Sequence, residues 1–312
     1  GARYEKTDIG GKFNVLDSLN FTGITYQNFL PNVTISRTFK NFRTLKLSYS
    51  QRLQRPSLQF INPFNNNSDF INRTEGNPYL DPEIVHQVEM GYNITFKGFT
   101  TFSSIFYKYT DGIIEQVLNI DPNGLSINTY KNIGTNKSVG FNTFVSKSVG
   151  MVTLRTGGNF ATYNAKGIVN GQAKERSSYD YNLFMNGEIK ISGTFKADFF
   201  GFFRSPVRTI QGDNPAFTIY GMGFRKEFKN SSIGLTLIEP FNSDKFFKSN
   251  IDTDAFLQKT SFSIPFRSIG VNFRYKFGSV DFKERKSKVK NSDLKQGQDN
   301  QGGAQGTTTQ GT

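Results

Sequence analysis

Residues 42–64 read FRTLKLSYSQRLQRPSLQFINPF, and the first half of this stretch alternates between apolar and polar side chains. One parity carries Leu45, Leu47, Tyr49 and Leu53, and the other carries Thr44, Lys46, Ser48, Ser50, Arg52 and Gln54. Such alternation predicts a β-strand with one apolar and one polar face. The apolar face could pack a soluble core, or it could meet lipid while the polar face lines a lumen.

The composition favours a membrane barrel over a helical membrane protein. The chain has 312 residues, 36% of them hydrophobic, and a mean hydropathy of −0.48. No window approaches the roughly 18 apolar residues that a transmembrane helix needs. Barrel strands are weakly hydrophobic because every second residue faces the lumen. The 33 Phe and 13 Tyr residues fit lipid-facing bands and girdles.

The chain has no cysteine, which excludes disulfides, thiolate metal sites and a cysteine nucleophile. The formal charge is +13, and a basic protein often binds nucleic acid. Lys and Arg are scattered here along strands and turns, so we predict no nucleic-acid partner. Anionic lipid headgroups suit scattered cations equally well.

Alternation recurs along the chain, with charged residues repeatedly at mid-strand on the polar side. The further alternating segments are 84–96, 179–191, 195–203 and 269–277. Short connections are predicted at 39–41, 97–98, 148–150, 192–193 and 230–231, and long ones at about 10–28, 56–82, 119–124, 164–176, 205–214 and 242–254. Short turns at one rim and long loops at the other are typical of outer-membrane barrels. About twelve strands are expected.

Three segments are harder to interpret. Both parities of Phe99–Tyr109 carry aromatic residues, so the pattern selects no face. The apolar parity switches between Phe266 and Ile269, which a β-bulge near Arg267-Ser268 would explain. Residues 279–312 are nearly devoid of apolar side chains and are predicted to be a disordered polar tail, after a barrel domain at 1–278. Basic residues in this tail could contact an anionic surface, or simply be solvated.

Four motifs occur in an order that resembles a known family. They are YSQRLQRPSLQFINPF (49–64), TEGNPYLDPEIVHQVEMGY (74–92), FYKYTDGI (106–113) and YKNIGTNKSVGFN (130–142). From Gly1 to about Phe277 the chain resembles the C-terminal barrel part of TonB-dependent receptors, within the outer membrane protein β-barrel family of Gram-negative bacteria. A terminal strand that ends on Phe277 is similar to the outer-membrane assembly signal of such proteins.

The resemblance implies an all-β, antiparallel transmembrane barrel of about 22 strands with a plugged lumen, to which this chain contributes about twelve. The implied function is to bind a solute at the cell surface and admit it to the periplasm. The implied partners are outer-membrane lipid and lipopolysaccharide, the barrel-assembly machinery, and TonB through an N-terminal plug region not present in this chain. A non-transporting adhesion or secretion scaffold, a small passive pore and a soluble β-sandwich are the alternatives.

The sequence offers no enzyme, cofactor or metal site. His86, the single histidine, shares its parity with Ile84, Val88 and Met90. An outer-membrane phospholipase would need a serine where Val88 stands, so we expect His86 to lie at the lipid interface instead. The stretch 65–69 offers one carboxylate, that of Asp69, which is too little charge to hold a cation well.

Two groups of residues are candidates for binding, although the substrate-binding residues cannot be named. Loop aromatics could capture a glycan or small ligand, or they could pack within their own loop; they are Phe60, Phe64, Phe70 and Tyr79. Cations on the polar parity could contact a plug or bind an anionic solute; they are Lys46, Arg52, Lys190, Lys196, Arg274 and Lys276.

Overall fold

The computed structural model describes residues 1–11, 24–63, 72–120, 124–252 and 257–278. The first strands are β1 (Ala2–Asp8), β2 (Thr25–Phe39), β3 (Arg43–Gln54), β4 (Asn72–Thr74), β5 (Glu83–Phe96), β6 (Phe99–Ile120), β7 (Ser126–Val149), β8 (Val152–Val169) and β9 (Gln172–Lys190). The later strands are β10 (Phe195–Arg204), β11 (Val207–Arg208), β12 (Gly212–Asn214), β13 (Phe217–Glu227), β14 (Ser231–Ile238), β15 (Asp244–Asp252), β16 (Leu257–Pro265) and β17 (Ser268–Tyr275).

One short helix, α1 (Leu58–Ile61), begins after Ser57, whose hydroxyl oxygen accepts a hydrogen bond from Phe60 N. None of the helices in the described ranges is long and apolar enough to cross a membrane. The strands all lie in one compact unit, Gly1–Tyr275. The predicted tail, 279–312, lies outside the described residues.

Twelve strands follow one another in a continuous antiparallel path, in the order β1-β2-β3-β5-β6-β7-β8-β9-β10-β13-β14-β17. The short strand β4 adds to this sheet by pairing in parallel with β7. Strands β11, β12, β15 and β16 form a separate four-stranded sheet. The predicted all-β, antiparallel architecture is confirmed.

Short turns join the strands at one rim. They occupy residues 40–42, 97–98, 150–151, 191–194 and 228–230, close to the predicted positions. At the opposite rim, β6 to β9 run for 22, 24, 18 and 19 residues. A strand needs about 9–11 residues to cross a bilayer, so these four strands are about twice as long as a membrane crossing would require.

The long loop predicted at 164–176 is wrong. Strands β8 and β9 continue as a hairpin and are joined by Asn170 and Gly171, with φ of 53° and 80°. An Asn-Gly pair adopts this left-handed backbone at low cost, which matches the twist of a two-residue hairpin turn. Polar residues in this region therefore belong to the extended ends of β8 and β9 and do not mark a loop.

The β-bulge predicted near Arg267-Ser268 is also wrong. Strand β16 belongs to the four-stranded sheet and β17 to the long sheet, so the chain changes sheets at residues 266–267. The amides of Phe266 and Arg267 both donate to Ser243 O, at 2.9 and 3.3 Å. Because β16 and β17 belong to different sheets, the side-chain alternation of one does not continue into the other. This accounts for the switch in apolar parity.

Cross-strand pairing assigns the two faces of β6, which the sequence left open. Ile105 pairs with Met90, and Tyr107 with Val88, so these four residues share the apolar face. Phe106 pairs with Glu89 on the opposite face and packs across Gly140 of β7. Aromatic residues on the polar face of β6 therefore cover glycine positions of the adjacent strand, a known device in barrels.

Candidate functional site

A cavity of about 400 Å³ lies on the polar face, toward the strand ends opposite the short turns. Its lining is mostly polar: Arg52, Gln54, Glu83, Val85, Gln87, Lys108, Thr110, Ile113, Ile114, Glu115, Asn136 and Tyr163. Pairing brings these residues together from five strands, because Arg52 pairs with Val85, Val85 with Thr110, and Thr110 with Asn136. Paired residues share a face, so the lining follows directly from the register.

The wall of the cavity supplies both cations and carboxylates. Arg52 Nη2 donates to Gln87 Oε1, and Glu83 Oε1 accepts from Ile114 N at 2.7 Å. Lys108 exerts an electrostatic effect on Glu83 and on Asp180. In the part of the chain that the structure describes, the Lys108 ammonium group makes no hydrogen bond, which leaves its three N–H donors available.

The β11–β12 hairpin, residues 207–214, covers this end of the polar face. We call it the capping hairpin. Its Ile210 is buried in an apolar cluster with Ile113, Val117, Ile133, Tyr163, Ala165 and Val169. Ile210 N donates to Glu115 Oε2 at 2.7 Å, and the Tyr163 hydroxyl donates to Glu115 Oε1. Glu115 thus joins the hairpin to the barrel wall.

Gln211 fastens the same hairpin to the free edge of β6. Past Asp111, β6 has no pairing with β5, so its edge amides need other partners. Leu118 N donates to Gln211 Oε1 at 3.0 Å, a fully buried bond, and Ile114 N is satisfied by Glu83 in the same way. The hairpin therefore satisfies one backbone amide at this edge, that of Leu118.

Arginine side chains anchor the other arm of the capping hairpin. Arg176 Nη1 donates to Thr209 O at 2.8 Å and to Gly212 O at 2.9 Å. The Asp213 carboxylate forms ion pairs with Arg176 and, at 2.5 Å, with Arg208. Because Arg176 lies on β9 and Ser249 Oγ of β15 donates to Asp213 O at 3.0 Å, the hairpin links the long sheet to the four-stranded sheet.

The electrostatics of Glu115 are dominated by its burial. Glu115 lies beyond the register irregularity at residues 111–113, in the part of β6 farthest from the short turns. Burial raises the pKa of its carboxyl, partly offset by the hydrogen bonds from Ile210 N and Tyr163. Burial and the adjacent Glu115 also raise the pKa of the Tyr163 hydroxyl, which therefore stays protonated and donates.

The loop aromatics do not gather into one surface. Phe60 stacks on Tyr130 of β7, with ring centroids 4.1 Å apart. Tyr79 is 65% exposed, and Phe64, Phe70 and Asp69 lie outside the described residues. Phe60 therefore packs against the strand extension, which neither of the two sequence hypotheses anticipated for it.

The predicted cations are spread over the polar face. Arg52 alone of the six lines the cavity. Lys196 pairs with Glu227 at 3.0 Å near the short-turn rim, and Arg274 lines a second groove of about 390 Å³ with Asp198, Arg225 and Asn272. Lys46 and Lys190 are exposed, and Lys276 follows the end of β17.

Sequence reasoning missed Lys108, Glu83 and Glu115. The signal for Lys108 was ambiguous, because aromatic residues occupy both parities of its segment. Glu115 follows the irregularity at residues 111–113, which changes the parity of everything beyond it. The positive φ of Gly112, 66°, is a feature that a Gly after Asp111 could have suggested.

His86 lies on the apolar face, in agreement with its predicted parity. Its Nδ1 is 3.0 Å from the Tyr49 hydroxyl, and its ring centroid is 6.1 Å from that of Tyr109. Val88 lies beside it, pairing with Tyr49 and Tyr107. Across the described ranges, acidic, histidine and cysteine side chains nowhere form a group of three or more that could hold a metal ion.

A family model for the outer membrane protein beta-barrel family matches residues 1–275. This chain belongs to that family. The predicted family and the predicted location in the cell outer membrane are thereby confirmed. No protein with a curated description matches the chain.

Solved structures with a similar fold are receptors and a transporter. The siderophore receptor PirA from Pseudomonas aeruginosa is 14% identical with a TM-score of 0.51, over 80% of this chain and 42% of its own. A mutant of the ferric enterobactin receptor PfeA from the same organism, in complex with enterobactin, is 15% identical with a TM-score of 0.51, over 79% and 40%. The copper transporter OprC is 12% identical with a TM-score of 0.60, over 88% and 44%.

These identities establish a shared fold and nothing finer. The chain spans less than half the length of each of these structures. With the outer membrane established, the exposed apolar face of the long sheet is the lipid-facing one, and the polar face with its cavity is the lumenal one.

Proposed function

We propose that this chain forms part of an outer-membrane receptor that binds an anionic solute in the lumenal cavity and admits it to the periplasm. The observation that carries the proposal is the cavity beneath the capping hairpin. Its carboxylate Glu115 is already engaged by Ile210 N and Tyr163, whereas the Lys108 ammonium group, which also lines the cavity, makes no hydrogen bond to any residue that the structure describes. An entering anion would therefore meet Lys108 and those donors of Arg52 that Gln87 does not occupy.

Binding in the cavity would act on the capping hairpin through shared residues. Glu115 and Tyr163 line the cavity and also hold the hairpin. A solute that engages the cavity wall changes the free energy of hairpin docking by its differential affinity for the docked and undocked states. The hairpin would then regulate access from the loop rim to the lumen.

Energy for release into the periplasm would come from TonB, through a plug region outside this chain. This part of the proposal follows from the family resemblance and from the receptors of similar fold. The barrel domain would comprise residues 1–278, assembled by the barrel-assembly machinery, with 279–312 as a polar tail. A non-transporting scaffold or a passive pore would show no dependence on TonB.

The test uses the full-length protein purified from outer membranes. The protein is incubated with spent growth medium, and retained small molecules are identified by mass spectrometry. We expect anionic solutes on the wild-type protein and their loss from the Arg52→Ala, Lys108→Ala double variant. Lys147→Ala, on the lipid-facing parity near the opposite rim, is the matched control and should retain them.

Uptake of the retained solute is then measured in cells with and without TonB. Loss of uptake without TonB supports the receptor proposal. Uptake that continues without TonB would indicate a passive pore. A double variant that retains the same solutes as wild type would refute the proposal that the cavity is the binding site.

A further inference from the structure

A groove of about 390 Å³ lies on the lumenal face of β10, β13, β14 and β17, the strands at one end of the long sheet. We call it the rim groove. It is close to the short turns, because two of its lining residues, Arg225 and Arg274, stand next to the ends of β13 and β17. Barrels have short periplasmic turns, so the rim groove is at the periplasmic end of the lumen.

Glycine residues form the floor of the rim groove. Gly223 and Gly234 stand where side chains would otherwise fill it. A Cβ on Gly223 would lie 2.6 Å from Asp198 Oδ2, and a Cβ on Gly234 would lie 2.8 Å from Asn272 Nδ2. The side chains of Asp198 and Asn272 therefore lie across glycine positions of the neighbouring strands, and their polar groups line the groove.

Opposite charges occupy two adjacent rows of this wall. Glu188 pairs with Asp198 across β9 and β10, and these two residues form an acidic row. The next row toward the short turns is basic, and it consists of Lys190, Lys196 and Arg225. Neighbouring rows on one face are two residues apart along a strand, so the acidic and basic rows are separated by about 7 Å.

The charges that line the rim groove are not neutralised by the part of the chain that the structure describes. There the side chains of Asp198, Arg225 and Arg274 form no ion pair and no hydrogen bond. Lys196, by contrast, pairs with Glu227 at 3.0 Å. The two carboxylates of the acidic row lie opposite each other and repel, so a cation beside them is stabilising. The groove thus offers an acidic end and a basic end to a ligand.

We propose that the rim groove binds a short zwitterionic peptide. The ammonium group of the peptide meets Asp198, and its carboxylate accepts hydrogen bonds from Arg225 and Arg274. An extended dipeptide spans at most about 7 Å, which matches the separation of the two rows. Thr236 and Asn272 also line the groove and supply hydrogen-bonding groups for the peptide bond.

This site and its ligand differ from those of the anionic solute. The rim groove shares no lining residue with the cavity beneath the capping hairpin. A solute with one sign of charge meets the opposite row at one end and the like row at the other, whereas a zwitterion is matched at both ends. The proposal rests on the assignment of the lumenal face and does not depend on solute binding in the cavity.

The experiment measures binding of alanylalanine to the full-length protein in detergent by equilibrium dialysis. The same measurement is made with the N-acetylated dipeptide, which lacks the ammonium charge, and with the C-terminal amide, which lacks the carboxylate charge. We expect each modification to weaken binding to the wild-type protein about tenfold, as the loss of a charge-assisted hydrogen bond predicts. Equal binding of all three forms, or no binding of any, would overturn the proposal without requiring a variant to fold.

Matched variants assign the two ends of the ligand. In Asp198→Asn, acetylation should weaken binding about threefold or less, and amidation should have the same effect as in wild type. In the Arg225→Gln, Arg274→Gln double variant, amidation should lose its effect and acetylation should keep it. Arg155→Gln removes a lumenal cation of β8 outside the groove and should behave as wild type. Folded groove variants that still discriminate as wild type does would overturn the assignment of these residues as the binding groups.

Discussion

Glu115 is the residue at which the wall, the cavity and the capping hairpin meet. Its two carboxylate oxygens accept from Tyr163 on β8 and from Ile210 N on the hairpin. A buried acceptor that is removed leaves its donors without partners, at a cost of about 1–3 kcal/mol. The docking of the hairpin therefore depends on this side chain as well as on the bonds from Arg176.

Glu115→Ala should loosen the capping hairpin. Amide hydrogens of residues 207–214 should exchange about 5- to 160-fold faster than in wild type, as expected for that loss of docking free energy. Glu115→Gln should exchange at nearly the wild-type rate at acidic pH, where Glu115 is also neutral, because the Gln amide can accept from Ile210 N and donate to Tyr163. Hydrogen exchange followed by mass spectrometry measures this, and equal rates for the Ala variant and wild type would contradict it.

Docking should also respond to pH through Glu115. Its pKa is raised from the ordinary value of 4.5 in the folded protein, so the docked state favours the protonated form. Docking is therefore strongest below 4.5 and weakens as pH rises through the raised pKa. Glu83, Tyr163 and Arg176 also face this carboxyl. The difference in amide exchange rate between wild type and Glu115→Gln isolates the effect of ionising Glu115. This difference should become smaller at acidic pH.

Gly140 leaves space for an aromatic side chain of the neighbouring strand. A Cβ at this position would lie 2.2 Å from Phe106 Cζ and 2.8 Å from Phe160 O. Gly140→Ala should destabilise the barrel by about 1–3 kcal/mol, since neither the ring nor the backbone can withdraw freely. Gly193→Ala is the control, because no atom lies within 4 Å of its added Cβ. Urea unfolding in detergent compares the two, and equal midpoints would refute the packing argument.

At the scale of elements, successive side chains of strand β9 alternate between the lipid-facing and the lumenal side. Leu183 is 56% exposed on the apolar face, and the adjacent Asn182 points to the lumen. Leu183→Arg should impair membrane assembly, because an Arg near the bilayer midplane costs about 2–4 kcal/mol. Asn182→Arg is the matched control and should assemble. The folded fraction is measured from heat-modifiable mobility in gels. Normal assembly of both variants would contradict the assignment of the lipid-facing and lumenal faces.

Strand faces were predictable from the sequence wherever one parity was uniformly apolar, as at 42–54. They were not predictable in 99–109, because Phe106 packs across Gly140 on the lumenal side, a contact that only the neighbouring strand reveals. The β8–β9 hairpin carried a local signal, Asn170-Gly171, that the polar composition around it obscured. The capping hairpin joins strands far apart in sequence, so its docking could not be predicted from local patterns.

At the scale of the whole molecule, the chain spans less than half the length of the receptors of similar fold. We predict that the native protein is substantially heavier than 35.2 kDa. An antibody raised against residues 283–295 should detect such a band in detergent-extracted outer membranes. A single band at 35.2 kDa would instead favour a self-contained barrel, without TonB-driven uptake.

The family was accessible from the sequence because four motifs kept their order, and residues 1–275 match that family. The predicted count of about twelve strands agrees with the twelve of the continuous path, but it did not include the separate four-stranded sheet. The cavity was not accessible, because it needs the register of five strands and a shift of parity after Asp111. Arg52 was predicted as a binding candidate from the alternation of its own strand alone. Lys108 and Glu115 required the structure.

The central claim is that one face of the long sheet meets lipid and the other lines a water-filled lumen. The chain has no cysteine, so single-cysteine variants at Leu183, Phe184, Met185 and Asn186 can each carry a spin label. In the membrane, labels at 183 and 185 should be accessible to oxygen dissolved in lipid, and labels at 184 and 186 to a water-soluble nickel complex. Equal accessibility at all four positions, or the reverse alternation, would contradict the account.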